Sequence, residues 1–356
     1  MTELERIATF GLEGLESTTP IVPGDWGTFI QDVERHRLAG LLTAATRAGA
    51  VDVAADRLDD IEAVDARWQR HALLMARLLR DVVEALSGAS IPHRVIKGPA
   101  LAHLAYDDPA HRVHGDIDVV IPGADLERTR RLLVSEFGAE DPFPEIRPGF
   151  DAAYAKDVLI RVDGAEIDLH RTLASGPFGH RVRTGDLFED ATTFDVGGTS
   201  VPTIGPDMTF VQVCYNAALG DIPPRLVSLR DVAQVHRALR PDPDAVIEIA
   251  DRWGGLTVVA TAITLTWDAF GLPTDDLSGW SSAHRPGPVD RRYLDASRSA
   301  ARSYTRHLAT LASIRGVRAK LGYARAIGRP DEQYLAARGW TARSHATRAI
   351  RRLLGR

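Results

Sequence analysis

Cysteine is almost absent from this chain. Cys214 stands alone among 356 residues, so no internal disulfide can form, and a reducing, cytoplasmic compartment is the expectation. The first residues, MTELERIATF, have neither the basic stretch nor the apolar core of a secretory signal. No run approaches the ~18 consecutive apolar residues of a membrane span, and no membrane partner is expected. Lysine is scarce as well: Lys97, Lys156 and Lys320 are the only three, and the other forty basic residues are arginine. What remains, 44% hydrophobic and 26% charged, is ordinary for a globular protein and excludes wholesale disorder or a fibrous repeat.

The net charge of −5 points to no polyanionic partner, but it is unevenly spread. Residues 301–356 hold 13 basic residues against Asp331 and Glu332, a balance of +11, which leaves −16 on the first 300. Arg315, Arg318, Arg325 and Arg351, with Tyr304, Tyr323, Tyr334 and Trp340 among them, suit either a groove for RNA or docking onto the acidic remainder. Docking or a solvated helix face is the expected arrangement.

Apolar spacing divides the chain into a helical region at 1–90, a layer of strands and helices at 91–205, a helical domain at 206–285 and a basic helical region at 286–356. Helices are expected over Trp26–Ala48, Ile61–Leu86 and Pro99–Tyr106, and loop over Leu272–Pro288, which is rich in Pro, Ser and Gly. In the second region, Val158–Val162 and Ala165–His170 flank Asp163-Gly164, a strong hairpin signal. The fold class is α+β, with a mixed sheet.

The chemistry concentrates in that layer. Gly115-Asp116-Ile117-Asp118 places two carboxylates at i and i+2, on one face of a strand, with Ile117, Val119 and Ile121 on the other. The second hairpin strand puts Glu166, Asp168 and His170 on one face. Adjacent strands bring these acids together, and converging carboxylates call for a divalent cation such as Mg²⁺ or Mn²⁺. Two ions on Asp116, Asp118 and Asp168 could clamp the two reacting oxygens of a phosphoryl displacement, with Asp168 also available as general base. Upstream, Ile96-Lys97-Gly98-Pro99 leads from a strand into a helix, and a helix N-terminus beside a lysine suits an anion such as a triphosphate. His111-x-x-His114 lacks zinc spacing, and no Walker or Gly-x-Ser-x-Gly pattern is present.

These residues resemble the nucleotidyltransferase superfamily built on the DNA polymerase beta catalytic core, and more closely its bacterial "nucleotidyltransferase family protein" branch. The matching pattern is Ile96-Lys97-Gly98, Tyr106 with Pro109 and Arg112, Gly115-Asp116-Ile117-Asp118, Glu166 through His170, Val201-Pro202, Pro206-Asp207 and Arg230-Asp231, covering roughly residues 90–240. The resemblance implies a polymerase-beta-like core that moves a nucleoside monophosphate from an NTP, ATP first, to an acceptor hydroxyl. Asp116, Asp118 and Asp168 fall on its metal ligands and Gly98 on its phosphate-loop glycine. Lys97, Arg112 and Gly115 would then serve the nucleotide, with Glu166 and His170 behind the carboxylates. Pro99 departs from the Gly or Ser of the wider superfamily, so triphosphate binding must lean on Lys97 and Arg112. Two alternatives follow: an inactive nucleotide-binding scaffold on the same core, or a toxin-like enzyme that modifies RNA ends. The acceptor is not named by the residues.

Overall fold

The computed structural model describes residues 1–12, 23–298, 303–341 and 344. Arg351 and the Tyr304 side chain lie outside the described residues.

Four N-terminal helices come first: α1 (Glu3–Thr9), α2 (Trp26–Arg35), α3 (Ala39–Arg47) and α4 (Leu58–Gly88). The single run expected over Trp26–Ala48 is two helices. Arg37, with φ of 57°, breaks it, and its N–H returns to the Glu34 carbonyl.

A layer of strands and helices follows as β1 (Arg94–Ile96), α5 (Gly98–Leu104), β2 (Asp116–Val120), α6 (Leu126–Phe137), α7 (Phe150–Tyr154), β3 (Asp157–Val162) and β4 (Ala165–His170). The sheet order is β1-β2-β4-β3; β2 and β4 are parallel and the outer pairs antiparallel. The expected hairpin forms at Asp163-Gly164, both at positive φ as its tight turn requires.

Period-2 alternation gives this sheet two unlike faces. Val95, Ile117, Val119, Ile121, Ile160, Ile167 and Leu169 point one way and are buried against Met75, Leu79, Val82 and Leu86 of α4 and Leu126 and Leu133 of α6. At about 1.5–3 kcal/mol for each fully buried aliphatic side chain, this face anchors the layer. The opposite face carries Asp116, Asp118, Asp168 and His170.

A short α8 (Gly176–Gly179) and the hairpin β5 (Ala191–Val196) and β6 (Thr199–Ile204) lead to α9 (Pro206–Leu219), α10 (Leu226–Leu239), α11 (Pro243–Arg252), α12 (Leu256–Phe270) and α13 (Asp276–Ala283). α9 has ten buried residues and is the spine of this body. Its core also takes Ile7, Phe29, Leu41 and Ile61, so the N-terminal helices and the α9–α13 helices share one interior. The loop expected over 272–288 contains α13. An Asp275–Ser278 capping box starts it and buried Leu277 pins it. Its Ser and Gly content hides the apolar period.

α14 (Pro288–Arg298), α15 (Ser303–Ser313), α16 (Val317–Gly328) and α17 (Glu332–Ala337) complete the described chain. α14 and α15 pack on α8, and α14 also on α9 and α12, while α16 and α17 dock on the strand-and-helix layer around α7. Tyr154 Oη donates to the Ala319 carbonyl at 2.9 Å, the Asp331 N–H to Ile146 at 2.8 Å, and Tyr323 packs on Phe150 and Tyr154. Arg315, Arg318 and Arg325 face solvent.

Candidate active site

The charged face of the sheet floors a cavity of about 370 Å³. Parallel register sets Asp118 beside Asp168. Asp118 is 2% exposed and carries two close contacts: Lys97 Nζ at 2.5 Å and His170 Nε2 at 2.6 Å, both to Oδ1. Lys97 Nζ is also 3.1 Å from His170 Nε2. On its far side, His170 Nδ1 faces the Thr172 carbonyl at 3.3 Å and Asp157 at 3.8 Å, and Lys156 closes on Asp157 at 2.7 Å.

Burial alone would raise the Asp118 carboxyl. The adjacent Lys97 ammonium and the His170 hydrogen bond outweigh it and hold the group far below the usual range. Asp168 goes the other way: burial, then the charges of Asp118 and Asp157, push it up to about 7. Burial and Lys97 lower His170 and keep its ring neutral. Two lysines therefore do not saturate this acidic group.

Lys97 reaches Asp118 from a strained elbow. It caps α5 with φ of 55° and ψ of −129°, a region costing of order 1–3 kcal/mol for a residue with a Cβ. Gly98 is required beside it because an added Cβ would lie 2.5 Å from His114 Cβ. Pro99 is buried within the first turn of the helix, where a missing N–H costs nothing.

Asp118, Asp168 and His170 each offer a ligand atom within 4.8 Å of one another. Two carboxylates and an imidazole suit a divalent ion, and the raised Asp168 carboxyl shows that positive charge is owed there. The residues fit such an ion. Asp116 lines the same cavity but is outside this convergent group: Arg37 Nη1 reaches it at 3.3 Å.

Arg112, expected on the triphosphate, lines the cavity and is also paired with Asp231. Its Nε and Nη2 donate to Asp231 at 2.7 and 2.8 Å, and its Nη1 to the Val113 carbonyl at 2.7 Å. Tyr106 Oη donates to the same Asp231 at 2.9 Å. Glu166 turns away to Arg161 at the turn end of the hairpin, 2.8 Å off. Gly115 stands at the entry to β2, where an added Cβ would meet Arg37 at 3.6 Å.

Several cavity residues escaped the sequence reading. Lys156 was within reach, since lysine scarcity marks it as it marks Lys97; two of the three lysines line this one cavity. Arg37, Asn216, Arg225 and Arg306 carried no local signal. They arrive from the α2–α3 turn, from α9, from the α9–α10 connection and from the docked α15.

Solved structures that align with the chain include two nucleotidyltransferase-type proteins. The antibiotic-resistance factor ANT(2'')-Ia shares 15% identity over 51% of this chain and 92% of its own, with a TM-score of 0.39. An antigenic nucleotidyltransferase-like protein from Paracoccidioides brasiliensis shares 15% over 60% of this chain and 94% of its own, with a TM-score of 0.34. No curated protein matches. Among the described residues, no helix is long and apolar enough to cross a membrane. The model of one family, described as an uncharacterised nucleotidyltransferase, matches residues 23–271, which take in every strand of the sheet and the lining of the Asp118 cavity apart from Arg306. The chain belongs to that nucleotidyltransferase family.

Proposed function

We propose that the chain transfers a nucleoside monophosphate from an NTP to an acceptor hydroxyl with release of pyrophosphate, in a reaction that requires Mg²⁺ or Mn²⁺. The observation that carries this reading is the convergence of Asp118, Asp168 and His170 on one polar cavity ringed by Arg37, Lys97, Lys156 and Arg225. A divalent ion held by that group, with Asp116 alongside, would supply positive charge at the reacting phosphate. Lys97, Lys156 and Arg37 offset the charge of the triphosphate, the work first expected of Arg112. Asp168 takes the proton of the acceptor hydroxyl as its oxygen bonds to the α-phosphorus and the bond to the β-phosphate oxygen breaks. Asn216, Ser228 and Arg306 line the part of the cavity left for the acceptor.

The test is incubation of the purified chain with each labelled NTP, Mg²⁺ or Mn²⁺, and a cell extract, starting with ATP. A labelled product that depends on both the ion and Asp118 supports the reading. No product with any NTP and either ion overturns it.

A further inference from the structure

Lys97 stands between two of the three side chains that converge for an ion. Its Nζ is 2.5 Å from Asp118 Oδ1 and 3.1 Å from His170 Nε2, and these two atoms are 2.6 Å apart. An ion bridging Asp118 and His170 must displace that ammonium. The lysine backbone is fixed, pinned at φ 55° between β1 and α5 by the packing of Gly98 on His114. Its four-carbon stem is not: the side chain is 15% exposed and lines the cavity, so it can turn from the carboxylate toward a phosphate entering there.

The residue type agrees. This chain uses arginine for forty of its 43 basic positions. A guanidinium fork grips a carboxylate at two points and stays, as Arg112 does on Asp231. An ammonium is a compact point charge that makes one contact and can leave.

We infer that Lys97 is the resident counter-ion of Asp118 and yields it to a divalent ion only when the phosphates of a nucleotide receive the ammonium, so that ion and nucleotide enter together. This rests on the nucleotidyltransferase reading and specifies how that site is loaded.

The test is Mn²⁺ binding to the full chain without nucleotide, followed by the EPR signal of free Mn²⁺. Lys97→Met keeps the stem and removes the charge, and should bind Mn²⁺ about tenfold or more tightly than wild type. Lys97→Arg should bind no more tightly than wild type. The gain should vanish in Lys97→Met/Asp118→Asn, which places the ion on Asp118. Adding a non-hydrolysable ATP analogue should bring wild type to the affinity of Lys97→Met. Equal Mn²⁺ affinity in Lys97→Met and wild type, with both folded by circular dichroism, overturns the inference; Lys97→Gln serves the same comparison if the Met variant does not fold. The two readings fail separately. Nucleotide transfer by wild type with equal Mn²⁺ affinities removes the counter-ion and leaves the enzyme. Tighter Mn²⁺ binding in Lys97→Met, with no transfer by wild type, sustains the counter-ion and removes the enzyme.

Discussion

Two buried clusters of opposite charge lie close together in this molecule, and they are built to different ends. In one, Arg112 grips Asp231 with two parallel hydrogen bonds, gives a third to Val113, and shares the carboxylate with Tyr106. The Arg112 guanidinium is 5% exposed and the Asp231 carboxylate 1%. In the other, Lys97 meets Asp118 through a single oxygen, and Asp168 crowds nearby without enough positive charge. The first cluster satisfies its charges and ties α10 to the loop that enters β2. The second leaves a deficit and opens onto a cavity. A buried ion pair is thus structural where its valences are filled and functional where they are not.

The sharpest way to break this comparison is to remove one acid from each cluster. Asp118→Ala should lower nucleotide transfer by about 10³-fold or more, while the chain still folds by circular dichroism, since the Lys97 it leaves unpaired lines an open cavity. Transfer within tenfold of wild type would take Asp118 out of the chemistry. Asp231→Ala should do the reverse to the fold. It leaves Arg112 charged, buried and unpaired, at a cost of about 3–5 kcal/mol in urea unfolding. A loss below about 1 kcal/mol would show that Asp231 is not the anchor its geometry describes.

The same contrast explains what was legible beforehand. Asp118, Asp168 and His170 could be read together because each lies on a strand with period 2: the Asp163-Gly164 turn fixes β4 on β3, and parallel pairing with β2 then sets Asp118 beside Asp168. Asp116 shares that period, and the sequence reading gives it an equal role. In the structure it also meets Arg37, 79 residues earlier. Arg112 has the same difficulty, since its partner lies 119 residues downstream and only the packed core brings them together. Lys97 was marked by rarity, a signal that owes nothing to topology and applied equally to Lys156. Arg306 had no signal, because its place depends on how α15 docks.

A smaller perturbation sharpens the first cluster. Arg112→Lys keeps the charge and gives up the fork. It should cost about 1–3 kcal/mol in urea unfolding, less than Asp231→Ala, because the carboxylate keeps one cationic contact and Tyr106. At Lys97 the order of importance inverts: Lys97→Arg should leave stability within about 1 kcal/mol and change Mn²⁺ and nucleotide binding.

The smallest expected effect measures what an undercompensated carboxylate costs away from any candidate chemistry. Asp151 lies in a cluster where Arg130 also contacts Asp141 and Glu145. Burial, then the charge of Glu145, raises its carboxyl to about 6. The unfolded chain releases that proton near 3.9, so between about pH 4 and 6 the folded protein binds more protons than the unfolded one. Stability therefore falls as pH rises through this window, and the loss is complete above about 6. Asp151→Asn removes the penalty. It should unfold at higher urea than wild type at pH 8, by about 1–2 kcal/mol after solvent screening, and match it at pH 4. A gain of the same size at both values would assign the effect to packing. A gain confined to high pH sets the scale for Asp168, whose larger displacement is the charge deficit that an incoming cation would relieve.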